Sequence, residues 1–66
     1  MNRAELRAEI ARKQLTYRAI AAELQISETA LYNKLMERSE FKESEIRKLI
    51  ELLEMSAETV NRIFSI

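Results

Sequence analysis

Apolar residues recur three and four apart along this chain, and one local arrangement marks where each apolar stripe begins. An apolar residue stands before a residue at a helix-cap position, and a second apolar residue follows five positions after the first, the spacing of a hydrophobic staple. The arrangement occurs five times: Met1-Asn2 with Leu6, Leu15-Thr16 with Ile20, Ile26-Ser27 with Leu31, Phe41-Lys42 with Ile46, and Met55-Ser56 with Val60. Each predicts a helix. The first runs from about Arg3 to about Lys13 on a stripe of Leu6 and Ile10, with Glu5 three after Asn2 as in a capping box. The second opens at Thr16 and continues through Ile20 and Ala21 to Leu24. The third opens at Ser27 and continues to about Arg38, with Leu31 and Leu35 turned inward. Only Gln25, Ile26 and Ser27 separate these two.

At the fourth start Lys42 occupies the cap position and cannot accept a hydrogen bond, but Glu45 is placed to reach back to the Lys42 amide. Ile46, Leu49, Ile50 and Leu53 then follow at helical spacing. The fifth helix carries Val60, Ile63 and Phe64. Five helices joined by short connections fit the loop lengths of a small helical domain, so the spacing predicts one all-α, compact five-helix bundle over residues 1–66.

Composition agrees with that reading. A chain of 66 residues holds one domain; 47% are hydrophobic and 33% charged, as in a folded globule. Glycine and proline are both absent, which removes the usual hairpin turns and helix breakers. Cysteine, histidine and aspartate are absent too, so neither disulfides nor the usual nucleophile-base and metal-ligand sets can be assembled. An enzyme is therefore not expected, nor a cofactor, a metal or a small-molecule substrate. No apolar run approaches the ~18 residues of a membrane span and no signal-peptide core opens the chain, which points to the cytoplasm and away from membranes.

Net charge is zero, with eleven basic and eleven acidic residues. That weighs against nucleic-acid binding, in which neutralised phosphates supply much of the affinity. The distribution is uneven, however. Between Arg12 and Lys42 six basic residues face four acidic ones, whereas from Glu43 onward three face five.

The stretch Thr16 to Leu35, TYRAIAAELQISETALYNKL, meets the size requirements of a helix-turn-helix, spanning about 16–38 in all. Two helices crossing steeply through a short turn need a very small residue where their backbones approach, and Ala21 stands there. Ile20, Leu24, Ile26 and Leu31 supply the shared core. Beyond the Ser27 cap, Glu28, Thr29, Tyr32 and Asn33 form a polar outer face.

These residues resemble the phage-repressor and Cro-like helix-turn-helix family, the lambda-repressor-like domains of small phage and bacterial regulators. The resemblance covers nearly the whole chain. It rests on Ala21, the Ile26-Ser27 entry, Leu31, and the segment SEFKESEIRKLIELLEMS, in which Phe41, Ile46, Leu49 and Ile50 match core positions of the family's fourth helix. The departure is Gln25, where the family usually has a glycine with positive φ; glutamine adopts that conformation at a cost of roughly 1 kcal/mol or more.

The resemblance implies a sequence-specific DNA-binding regulator, a repressor by family expectation, whose third helix enters the major groove. Carried over position by position, it places Glu28, Thr29, Tyr32 and Asn33 at the bases, with Thr16, Tyr17 and Ser27 near phosphates. Arg18, Lys34, Arg38 and Lys42 add backbone contacts. Asn33 suits adenine, Glu28 the cytosine amino group, and the Thr29 methyl a thymine methyl. Each has a structural alternative: Thr16 and Ser27 are helix caps, Glu28 favours the positive end of a helix dipole, and the four cations can form a solvated face. One reading helix contacts few base pairs, so a weak homodimer on a pseudo-palindromic operator is expected, with Phe64 and Ile66 as its apolar contact. The competing reading is a helix-turn-helix bundle used for protein-protein interaction, as an antirepressor or assembly partner, which zero net charge favours.

Overall fold

The computed structural model describes residues 1–65. Among them the chain forms five helices and no strand: α1 Arg3–Arg12, α2 Tyr17–Leu24, α3 Glu28–Leu35, α4 Glu43–Leu52 and α5 Ala57–Phe64. The protein is all-α, and its radius of gyration of 10.6 Å is that of a close-packed chain, for which about 11 Å is expected at this length.

Every helix starts where the cap pattern places it. Side-chain oxygens of Asn2, Thr16, Ser27 and Ser56 accept from the amides of Glu5, Ala19, Ala30 and Thr59 at 3.0–3.2 Å. Each satisfies one of the amides that a helix start leaves without an intrahelical partner. At α4 the Glu45 carboxylate accepts from the Lys42 amide at 2.8 Å, so the acid three residues in stands in for the missing cap. At α1 the reciprocal half of the box does not form. The Asn2 amide donates to the Ile63 carbonyl at 2.7 Å, tying the start of α1 to the end of α5, and Glu5 pairs with Arg12 and Arg62.

The helix ends repeat one device. Gln14, Gln25, Glu37, Glu54 and Ser65 are all left-handed, with φ between 48° and 62°, and none is glycine. After α1, α2, α3 and α4 the left-handed residue donates to a carbonyl three back and the next residue to one five back (Ile26 to Ala21 at 3.0 Å, for example). This is the Schellman closure, which satisfies carbonyls the helix end leaves unpaired. It terminates α3 three residues before the expected end at Arg38: Glu37 turns left-handed, and the Arg38 amide bonds back to Asn33.

Because a side chain in this conformation crowds the following carbonyl, each position costs roughly 1–2 kcal/mol relative to glycine, partly offset by glycine's greater freedom in the unfolded chain. Gln14 is exposed and has φ 57°. Gln14→Gly is expected to raise stability by roughly 0.5–1 kcal/mol, a few degrees in Tm. Gln14→Ala should give no such gain. Thermal unfolding of the two variants side by side checks this.

Ten residues form the core: Leu6, Ile10, Ile20, Ala21, Leu24, Leu31, Leu35, Leu49, Leu53 and Ile63. α2 lies at the centre, packed on both α3 and α4, while α1 packs on α5. Leu15, Ile26, Phe41 and Met55, the residues before four of the caps, lie half-buried against this core. α4 is rotated from the expected orientation. Leu49 and Leu53 are fully buried, but Ile46 and Ile50 are only half-buried and Glu45 lies inside.

Candidate nucleic-acid interface

The outward face of α3 is polar because the helix spends its apolar residues on one side. Leu31 and Leu35 are enclosed, whereas Glu28 and Thr29 are exposed, Tyr32 is 46% exposed and Asn33 half-exposed. The helix is held from both ends, by the Ser27 cap and by the turn at Glu37, so its surface is presented on a fixed support. The connection from α2 consists of Gln25, Ile26 and Ser27, with Gln25 left-handed at φ 59°. Ala21 is 2% exposed and its carbonyl accepts from the Ile26 amide, which leaves no room for a larger side chain at the turn.

Five of the seven expected phosphate residues divide into three groups. Thr16 and Ser27 spend their hydroxyl oxygens as caps, in the structural role open to them. Tyr17 is half-buried with its ring against the core at the first position of α2. Arg18 and Lys42 are exposed, and neither side chain forms an ion pair among the described residues.

Lys34, expected at a DNA phosphate with a solvated face as the alternative, is withdrawn into the fold. Its side chain is only 12% exposed, and Nζ donates to Glu45 Oε1 at 2.6 Å. The same oxygen takes the Lys42 amide, so one buried carboxylate joins the last turn of α3 to the first turn of α4. Lys34 is thereby committed to the fold, and its charge is spent inside it. Burial alone would raise the Glu45 pKa. The hydrogen bonds from Lys34 and the Lys42 amide, with the charges of both lysines, outweigh it and hold the value below the usual 4.5.

Arg38 does reach the α3 face, from the turn that ends the helix. Its Cζ sits 5.8 Å from the centre of the Tyr32 ring, and Nη1 donates to Asn33 Oδ1 at 3.4 Å. Periodicity extended through Arg38 places it on the helix instead, so this contact is invisible in the spacing.

Ion pairing separates the charges along the chain. Arg12, Lys34, Arg47, Lys48 and Arg62 are paired with carboxylates. Among the described residues Arg3, Arg7, Lys13, Arg18, Arg38 and Lys42 are not, and all six lie in the first forty-two positions. Of the carboxylates equally unpaired there, Glu28 and Glu40 lie in the same stretch and Glu51, Glu54 and Glu58 in the last third. A neutral chain thus holds more unpaired cations than unpaired carboxylates before α4, and only unpaired carboxylates from α4 onward.

Phe64, one of the two residues expected at a subunit contact, is half-buried against the core and borders a hollow of about 380 Å³ with Met1, Phe41 and Ile46. Ile66, the other, lies outside the described residues. No described helix is long and apolar enough to cross a membrane.

Fold and site together define a small five-helix all-α domain that presents one short polar helix on a capped, well-packed support. The chain belongs to the family described as "Protein of unknown function (DUF739)", which matches it over residues 2–65. Neither the comparison with curated proteins nor that with solved structures gives a match.

Proposed function

We propose that the protein is a sequence-specific double-stranded DNA-binding regulator of phage or bacterial type, acting in the cytoplasm, with α2 and α3 as a helix-turn-helix and α3 as the reading helix. The observation that carries this reading is the face of α3 itself. Glu28, Thr29, Tyr32 and Asn33 offer donors, acceptors and a methyl group to the outside at helical spacing, on a helix whose opposite side is fully buried. A helix of this size fits the major groove, and these side-chain types match the edges of bases there. Three further features support it: the three-residue turn with its left-handed Gln25, the small Ala21 beneath it, and the unpaired Arg18 and Lys42 as phosphate ligands. Repression follows from occlusion of a promoter, and two copies on a pseudo-palindromic site would double the sequence read.

The test is selection from a pool of random duplexes at low and moderate salt, followed by sequencing of the retained fraction. An enriched site with two-fold symmetry is the expected result, and Asn33→Ala should relax preference at one base pair while non-specific affinity stays near its original value. Absence of any enriched or salt-sensitive retention at micromolar protein would overturn the reading. Zero net charge would then favour a protein partner for the same bundle.

A further inference from the structure

The four helix-closing turns share one backbone and differ in one residue. After the left-handed position, the chain places Leu15, Ile26 and Met55 at three of them, and each packs against the core. At the turn that closes α3 the corresponding residue is Arg38, which is exposed. An apolar contact is the usual companion of this turn, so α3 gives up a packing residue where the other helices keep one. The backbone explains where the arginine goes. With Glu37 left-handed and the Arg38 amide bonded to the Asn33 carbonyl at 2.9 Å, the chain doubles back along the helix. The guanidinium therefore lies over Tyr32 and against Asn33 Oδ1.

We infer that Arg38 sets the base preference of α3, turning Asn33 from an adenine reader into a guanine reader. This rests on the DNA-binding reading given above. An asparagine pairs with adenine by accepting from the N6 amino group with Oδ1 and donating to N7 with Nδ2. Here one of the two lone pairs of Oδ1 is turned to Arg38 at 3.4 Å, and the cation beside it repels the partial positive charge of an incoming amino group. Guanine brings only acceptors, O6 and N7, to the same edge. Those match the Nδ2 donor of Asn33 and the remaining donors of a guanidinium, the group that pairs best with guanine. The distance to the Tyr32 ring is within the ~6 Å range of a cation-π contact, which restrains the arginine on this face.

The experiment is the duplex selection run with wild type, Arg38→Ala and Arg38→Lys, read at the one base pair whose preference Asn33→Ala abolishes. Wild type is expected to favour guanine over adenine there by roughly tenfold or more. Arg38→Ala should reverse or erase that preference and leave the rest of the site unchanged. Arg38→Lys should retain affinity, because the charge remains, but lose most of the discrimination, because the planar fork is gone. In the DNA-free protein, the Asn33 side-chain amide resonances should shift in Arg38→Ala. An enriched site with adenine opposite Asn33 in wild type would overturn the inference while leaving the DNA-binding reading intact. So would a uniform loss of affinity in Arg38→Ala with the base preference kept and the salt slope reduced by about one, the mark of a phosphate contact. No enrichment by wild type would remove both.

Discussion

Leu31→Ala is expected to lower stability by about 2–5 kcal/mol and to drop Tm by ten degrees or more. Leu31 is fully enclosed at the middle of α3, at the point where that helix meets α2, and truncation leaves a void that capped neighbouring helices cannot close. A chain of this length has a total stability of roughly 3–10 kcal/mol. One such loss therefore takes much of the population to the unfolded state near physiological temperature. Tyr32, the next residue on the same helix, is the internal control. It is 46% exposed with its ring beneath the Arg38 guanidinium, so Tyr32→Ala should cost no more than about 1 kcal/mol. Urea unfolding of the two variants separates them. Comparable losses for both would mean that the helix faces are assigned wrongly.

Glu45→Gln is expected to cost about 2 kcal/mol at neutral pH. Removing one partner of a buried ion pair costs about 3–5 kcal/mol when the surviving charge is trapped, but the Lys34 stem can carry its ammonium outward and recover part of its hydration. Glutamine still accepts the Lys42 amide, since a capping box tolerates either residue. The loss thus reports the charge and leaves the cap in place. Adding Lys34→Met should restore at least half of it, because no unpaired ammonium then remains.

The pH dependence of wild type provides a second check. The Glu45 pKa is lowered on folding, so the folded state binds its proton less readily than the unfolded state does. Its contribution is complete above about pH 5 and is lost as the pH falls through the folded value. Glu45→Gln should lack that component. If its stability falls with acid as steeply as that of wild type, the pair is not what stabilises this junction. The same pair fixes α3 against α4, so on the DNA-binding function proposed above Glu45→Gln is also expected to weaken discrimination between a selected site and random DNA more than it weakens binding to random DNA.

The positions at which sequence and structure part company are specific. Glu45 reads as a capping residue, and it is one; that it also lies buried follows from Lys34, eleven residues earlier in sequence and on another helix. Lys34 reads as solvated because a lysine near the end of a polar helix usually is. Glu5 reads as the second half of a box, but the Asn2 amide finds the Ile63 carbonyl, a partner more than sixty residues away. Arg38 reads as the last helical residue because nothing in its side chain marks the left-handed turn at Glu37. A glycine would have marked it, and this chain has none.

What the sequence determined by itself is the number, kind and starting points of the elements. Cap hydrogen bonds and staples join residues three and five apart, and a stripe of apolar residues at helical spacing already defines a buried side. Those interactions are local, so they can be read in order along the chain, and the face of α3 bearing Glu28, Thr29, Tyr32 and Asn33 was legible for the same reason. The tertiary structure decided which polar groups that face and its neighbours keep free. Rotation of α4, withdrawal of Lys34 to Glu45, and the return of Arg38 over Tyr32 and Asn33 depend on which helix lies opposite and on backbone angles at positions without a distinctive residue. Charges pair with whatever the packed chain brings within a few ångströms, and spacing along one helix carries no record of that.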